Sequence, residues 1–336
     1  MNDFIEETTS KHLKHTIAFY NLENLFDISD DPKTNDNDFL PTNTKKWTTK
    51  RYTNKLRKLG FAISNIGLNE TDKHPAIIGL AEIENDTVLK DLIASKHLHD
   101  CNYRFVHYDS LDERGIDVAL LYDSTCFKVT NSETFSIHLT NKEGLPDYTR
   151  DILLVTGFLE DEEIQIIVNH WSSRREGENE TEFKRIAASN KVTEIIDALK
   201  AKNKNAKIMV IGDFNDDPTN NSITQLVESQ DLFNPMQSLL SYSRGSTSHN
   251  FKWNLFDQIM FTKNFFETVP NTFSFSNANI FDDDFLKLFN GKYKGKPFRT
   301  YIGKKYQGGY SDHFPVYAIL QKNCHVLNNR YRLLKD

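Results

Sequence analysis

Apolar residues in this chain gather into short runs, near 16–21, 76–82, 116–122, 152–159, 164–170, 207–213, 257–262 and 315–320. Each run has strand length and is rich in Ile, Val, Leu or Phe, which predicts buried β-strands. Between them, Trp47–Ile66 and Glu180–Lys200 read as helices. In the second, Phe183, Ile186, Ala187, Ile195, Ile196 and Leu199 fall largely on one face, which predicts a helix laid over a sheet. Strands alternating with helices indicate an α/β protein. Closely spaced runs, such as 152–159 followed by 164–170, predict antiparallel neighbours as well. Asp27–Trp47 and Phe265–Gly309 carry few strand signals and read as long loops that shape a cleft.

The ends of the runs are more informative than their interiors. Val210-Ile211-Gly212 leads into Asp213-Phe214-Asn215, and side chains two apart on an extended segment point the same way. Ser311-Asp312-His313 precedes the apolar stretch Val316–Leu320, Glu82 closes the run that begins at Ala76, and Asn21 closes Thr16–Tyr20. Asp and Asn are ordinary residues where a strand meets a turn. Charge on core strands is nevertheless costly unless it is paired, bound to a metal or used in chemistry, so these ends together predict one shared site.

The ordered set Asn21, Glu82, His170, Asp213 with Asn215, Asp257, and Asp312 with His313 resembles the endonuclease/exonuclease/phosphatase superfamily from about Thr16 to about Leu320. That superfamily includes pancreatic-type deoxyribonucleases, abasic-site endonucleases, sphingomyelinases and inositol-polyphosphate phosphatases. Gly212-Asp213-Phe214-Asn215 and Ser311-Asp312-His313 are the most specific pieces. Phe19–Asp27 and Arg114–Tyr122 are similar to a bacterial endonuclease-like branch. The resemblance implies a four-layer sandwich of two packed mixed β-sheets flanked by helices.

It also implies metal-dependent hydrolysis of phosphoesters. Glu82 would hold Mg²⁺ or Mn²⁺, since carboxylate and amide oxygens without thiolates suit hard dications. Asn21 would orient Glu82 or complete the metal's shell, and Asp312 would be a further ligand or a supporting group. By the family pattern Asp213 positions and deprotonates the attacking water, Asn215 binds a phosphoryl oxygen, and His313, held by Asp257, stabilises charge on the phosphate. His170 would donate to a phosphate oxygen, or else be a structural histidine beside Trp171. Asp117 is open between a site residue and an ion-pair partner of Arg114.

Charge refines the substrate. With 41 basic against 47 acidic side chains the net charge is −6, which argues against a surface coated for nonspecific nucleic-acid binding. Gly291–Ser311, however, carries Lys292, Lys294, Lys296, Arg299, Lys304 and Lys305 without an acid, interleaved with Tyr293, Phe298, Tyr301, Tyr306 and Tyr310. Such a loop can clamp phosphates and stack bases, or simply offset Asp282-Asp283-Asp284. Arg174 and Arg175, just past His170, are further candidate phosphate contacts. The expected activity is endonucleolytic cleavage of nucleic acid; a phosphomonoesterase, a phospholipid-headgroup hydrolase and a binding protein without catalysis are the alternatives.

Strand-like runs span the chain, so the expected organisation is one catalytic domain, 15–322, between tails 1–14 and 323–336. No run is long enough to cross a bilayer and the first residues lack the apolar centre of a secretion signal, so the expectation is a cytoplasmic enzyme without stable membrane association or an obligate protein partner. Cys101, Cys126 and Cys324 are odd in number and scattered, which argues against a disulfide framework and a thiolate metal site.

Overall fold

The computed structural model describes residues 10–325 other than Lys142 and Thr268. Twelve strands build its two main sheets. The first half of the chain supplies β1 (Ser10–Leu25), β2 (Ile77–Ile83), β3 (Tyr103–His107), β4 (Asp117–Asp123), β5 (Phe127–Phe135), β6 (Ile152–Leu159) and β7 (Glu162–His170). The second half supplies β8 (Ile208–Asp213), β9 (Leu232–Phe233), β10 (Asp257–Thr262), β11 (Phe273–Ile280) and β12 (Val316–His325). One sheet has the order β11-β12-β1-β2-β4-β3 and the other β9-β10-β8-β7-β6-β5. Each is mixed: β1 runs parallel to β2 and β7 parallel to β8, while the other pairs are antiparallel.

The sheets pack face to face, with Ile17, Phe19 and Ile77 of the first meeting Val155, Ile166, Val168, Met209 and Ile211 of the second in one core. Gly79 makes this approach possible, because a Cβ there would sit 2.7 Å from Ile211 Cδ1 and 2.8 Å from Phe19 Cδ2. Both sheets are covered on their outer faces. Helices α1 (Thr49–Asn65) and α2 (Asp86–Ile93) cover the first; α3 (Glu182–Lys202) and α4 (Asn221–Gln230) cover the second. Strand β8 is therefore buried on both sides, Met209 and Ile211 facing the inner core while Ile208 and Val210 face α3 and α4. This is the expected four-layer sandwich.

Several expectations are corrected. The presumed loop Phe265–Gly309 contains β11, an edge strand on β12. Its polar stretch Ser274, Ser276 and Asn277 suits a half-covered edge and hides it from a search for apolar runs. Strand β1 begins at Ser10, within the expected N-terminal tail, and β12 continues to His325, within the expected C-terminal one. The remainder of both tails lies outside the described residues. On α3 the first turns are rotated from the expected face: Phe183 is 53% exposed, whereas Arg185 and Ser189 are buried. Arg185 takes the inward position because its guanidinium reaches Asp216 at 2.8 Å. Cys101 and Cys126 are free thiols, and no helix among the described residues is long and apolar enough to cross a membrane.

Candidate active site

Three adjacent strands of the second sheet end side by side. Parallel pairing places Asp213 opposite His170, and antiparallel pairing places Asp213 opposite Asp257. The register of β7, β8 and β10 thus sets an imidazole and two carboxylates in a row. From the first sheet, β1 delivers Asn21 and the segment before β12 delivers Asp312 and His313. Ser311 fastens that segment, its hydroxyl donating to Asn21 O at 2.7 Å and accepting from the His313 amide at 3.1 Å.

Asp213 Oδ2 is the meeting point. It accepts from Asn21 Nδ2 at 2.9 Å and lies 3.8 Å from His170 Nε2 and 3.9 Å from His313 Nε2. Oδ1 accepts the amide of Asn215 at 3.0 Å. Asn215 holds a left-handed backbone, φ 50°, that turns its own amide back onto Asp213. Gly212 is required just before it, since a Cβ there would lie 2.5 Å from Asn169 O.

Burial raises the Asp213 carboxyl to about 6 against the opposing pull of His313, with Asp257 adding to the rise. On His313 burial opposes the charged form, but the Asp257 and Asp213 carboxylates outweigh it and hold the imidazole well above its usual range. His313 Nδ1 donates to Asp257 Oδ2 at 2.7 Å, so Nε2 carries its proton toward Asp213 and the cleft. His170 goes the other way: burial, then Arg150 and Arg114, press it well below the usual range and keep it neutral. One neutral and one cationic imidazole thus flank a single carboxylate.

Glu82 sits at an irregularity of β2, with φ 63° and a register shift between Ala81 and Ile83. This bulge re-aims its carboxylate into the cleft. Oε2 accepts the Asn24 amide at 2.6 Å, while Oε1 is 3.8 Å from the Arg114 guanidinium, beyond a hydrogen bond. Asp312 Oδ2 pairs with Arg299 at 2.7 Å. Burial works against the charged Asp312, but Arg299 and His313 prevail and hold its carboxyl below the usual range. Asn21, Glu82, His170, Asp213, Asn215, Arg299, Asp312 and His313 line one cleft of about 730 Å³.

The geometry refines the expected roles. Asn21 turns its amide to Asp213, not to Glu82. One Asn215 N–H is spent on Trp171 O at 3.0 Å. Arg174 lines the cleft but is engaged by Asn215 O at 2.6 Å, Asp216 at 2.6 Å and Glu178 at 2.7 Å, and so holds the Asn215 turn together. Arg175 lines the cleft and is exposed. Lys304 and Lys305 lie on an exposed hairpin, Tyr301–Ile302 with Lys305–Tyr306, outside the cleft wall. Asp117 faces His107 at 3.7 Å, while Arg114 reaches Asn24 and the Glu82 side of the cleft.

Behind Asp312 lies a pair the motif reading passed over. Glu23 and Lys55 are 5% and 1% exposed and 4.0 Å apart. Burial and Asp312 raise Glu23 to about 7; burial lowers Lys55 to about 8 against Glu23. Glu23 alternates with Asn21 along β1, the one sequence signal that could have flagged it.

A sandwich of mixed sheets that gathers carboxylates, an amide and two imidazoles at its strand ends is built as a phosphoester hydrolase. The profile of the Endonuclease/Exonuclease/phosphatase family matches residues 16–322, and the chain belongs to that family. Solved structures share its fold. An endonuclease/exonuclease/phosphatase family protein from Bacteroides thetaiotaomicron is 20% identical with a TM-score of 0.57, covering 95% of this chain and 100% of its own. The mannosyl-6-phosphatase Bt3783 of the same organism is 18% identical with a TM-score of 0.54, covering 91% and 99%. D. rerio TDP2 complexed with single strand DNA product is 13% identical with a TM-score of 0.52, covering 91% and 98%. Comparison with curated proteins gives no significant match.

Proposed function

We propose that the protein is a metal-dependent phosphodiesterase that cleaves nucleic acid internally. The observation that carries this reading is the convergence on Asp213 Oδ2 of neutral His170, cationic His313 and the Asn21 amide. Asp213 takes the proton of the attacking water, oriented by Asn21 and the Asn215 amide. His313, fixed by Asp257, meets the negative charge that grows on the phosphoryl oxygens. His170 supplies an uncharged edge on the other side of the carboxylate.

The donor set fits a hard dication. Glu82 keeps one oxygen without a hydrogen bond and Asp312 faces the same cleft, all-oxygen chemistry that suits Mg²⁺ or Mn²⁺. Asp213, Asp257 and His313 also lie close enough to surround an ion, but His313 already places positive charge between those carboxylates. Glu82 and Asp312 are therefore the residues that would hold the metal. When bound, it supplies Lewis-acid polarisation of the phosphate and acidifies a water.

One arm of the cleft supports nucleic acid as the substrate class. The hairpin Thr247–His249 with Lys252–Asn254 turns through Asn250, φ 46°, and Phe251, φ 66°. A phenylalanine in that backbone costs about 1–2 kcal/mol, yet its ring is 51% exposed. Phe251 stacks on Tyr293 at 5.4 Å and 6°, with Lys292 5.0 Å above it, while Lys296 lies 3.8 Å over Trp253. Exposed rings among cations, beside Arg299 and Asp312, suit unpaired bases and their phosphates. That a fold relative holds single strand DNA product supports the same reading. Hydrolysis of single-stranded DNA, RNA, plasmid, phosphomonoesters and sphingomyelin with Mg²⁺, Mn²⁺ or chelator tests it. Metal-dependent cleavage of nucleic acid is expected; turnover of only phosphomonoesters or lipid headgroups would move the proposal to those substrates.

A further inference from the structure

We infer that His107, Asp109 and Asp117 form a second metal site, sharing no residue with the group that converges on Asp213 and suited to a transition-metal dication of the zinc type. One ligand atom from each lies within 4.8 Å of the others. Acidic groups often cluster without an ion, and the weight rests on His107. Its side chain is 2% exposed, and Nδ1 donates to Asp86 Oδ1 at 3.0 Å. That bond leaves the Nε2 lone pair for another partner, yet Nε2 is buried with none. It faces Asp117 Oδ2 at 3.7 Å, too far for a hydrogen bond but the separation of two atoms sharing an ion at about 2.0–2.2 Å from each.

The surroundings are those of a metal ligand. A carboxylate behind the distal ring nitrogen fixes the tautomer and raises ligand basicity. Asp117 is held by the Ser110 amide on Oδ1 at 3.1 Å, which leaves Oδ2 turned to the imidazole. Asp109 is exposed and provides an entry path. One imidazole among carboxylates favours Zn²⁺ over Mg²⁺. The loop that closes the site continues to Asp112, which holds Arg150, and to Arg114, which enters the cleft, so an ion here braces the cleft wall.

The test uses the full chain, stripped with chelator and titrated with Zn²⁺ by calorimetry in saturating Mg²⁺, with circular dichroism confirming the fold of each variant. Wild type should bind one Zn²⁺ that Mg²⁺ does not displace, and Co²⁺ at the same site should give a visible ligand-field band. His107→Gln and Asp109→Ala should each weaken Zn²⁺ at least tenfold, whereas Asp312→Asn, at the hydrolytic metal site, should leave it unchanged. Asp109 is exposed, so its variant reports even if His107→Gln fails to fold. Equal Zn²⁺ affinity in wild type and Asp109→Ala, no Zn²⁺ retained against Mg²⁺, or loss of Zn²⁺ only in Asp312→Asn would overturn the proposal. Because the readout is binding, failure of the proposed hydrolysis would leave it standing.

Discussion

Asn21 donates from Nδ2 to Asp213 Oδ2 across 2.9 Å, although the two residues lie 192 positions apart and on different sheets. This bond joins the two halves of the sandwich at the site and fixes the carboxylate that the other groups surround. Asn21→Ala should therefore slow hydrolysis by ~10- to 100-fold, mainly in kcat, with the fold retained, as one orienting hydrogen bond to a charged group contributes about 1.5–3 kcal/mol. Steady-state kinetics beside circular dichroism would check this.

Asp213 is held at a cost. A folded-state carboxyl raised to about 6 favours the protonated form, so its contribution to stability is greatest below its ordinary range and is lost as pH rises through about 6. Asp213→Asn should abolish ~10²–10⁴ of the rate while leaving the unfolding midpoint at neutral pH unchanged or higher. A lower midpoint in denaturant titrations would argue that Asp213 is structural.

The pH profile of kcat/KM should be bell-shaped. Activity rises as Asp213 loses its proton near 6 and falls only when His313, held well above the usual imidazole range, loses its own. Asp257→Asn should move the alkaline limb downward, because it removes a carboxylate that favours the His313 cation.

Neighbouring arginines should behave differently. Arg174 ties Asn215, Asp216 and Glu178 together, so Arg174→Ala should lower both kcat and thermal stability. Arg175 is exposed on the cleft wall, so Arg175→Ala should raise KM for a polyanionic substrate with the melting temperature unchanged. Matched kinetics and melting curves separate the two.

The buried pair behind the site gives a stability prediction. Lys55→Met leaves buried Glu23 with Arg299 as its one cationic partner among the described residues, at 3.5 Å, and should cost ~3 kcal/mol, whereas Lys55→Met with Glu23→Gln should recover much of that loss. Chemical denaturation of the variants would measure the coupling.

The chemistry at the strand ends was legible because apolar runs stop there: Val210-Ile211-Gly212 before Asp213, and Ile166-Ile167-Val168 before Asn169 and His170. What joins them was not, since the placing of Asp213 between His170 and Asp257 depends on which strands are neighbours, a property of register and not of local pattern. The family motifs mark the set, and the fold gives each member its partners. Strands β3, β5 and β11 escaped notice because they lie toward the sheet edges and alternate polar with apolar residues. Helix α2 was hidden by its eight-residue length, though Asn85 caps it from the end of the Glu82 strand. Arg185 shows the other limit: a buried guanidinium is invisible to hydrophobic periodicity and becomes predictable only once Asp216 is known to lie beside it.

In the proposed reaction Asp213 drives cleavage of nucleic acid at this cleft. Single-turnover hydrolysis of an end-labelled single-stranded oligonucleotide in Mn²⁺, by wild type and by Asp213→Asn, tests it most directly. Internal cleavage by wild type that chelator abolishes and that Asp213→Asn slows ~10²–10⁴-fold is the predicted result; equal rates for the two proteins, or no cleavage by wild type, would contradict it.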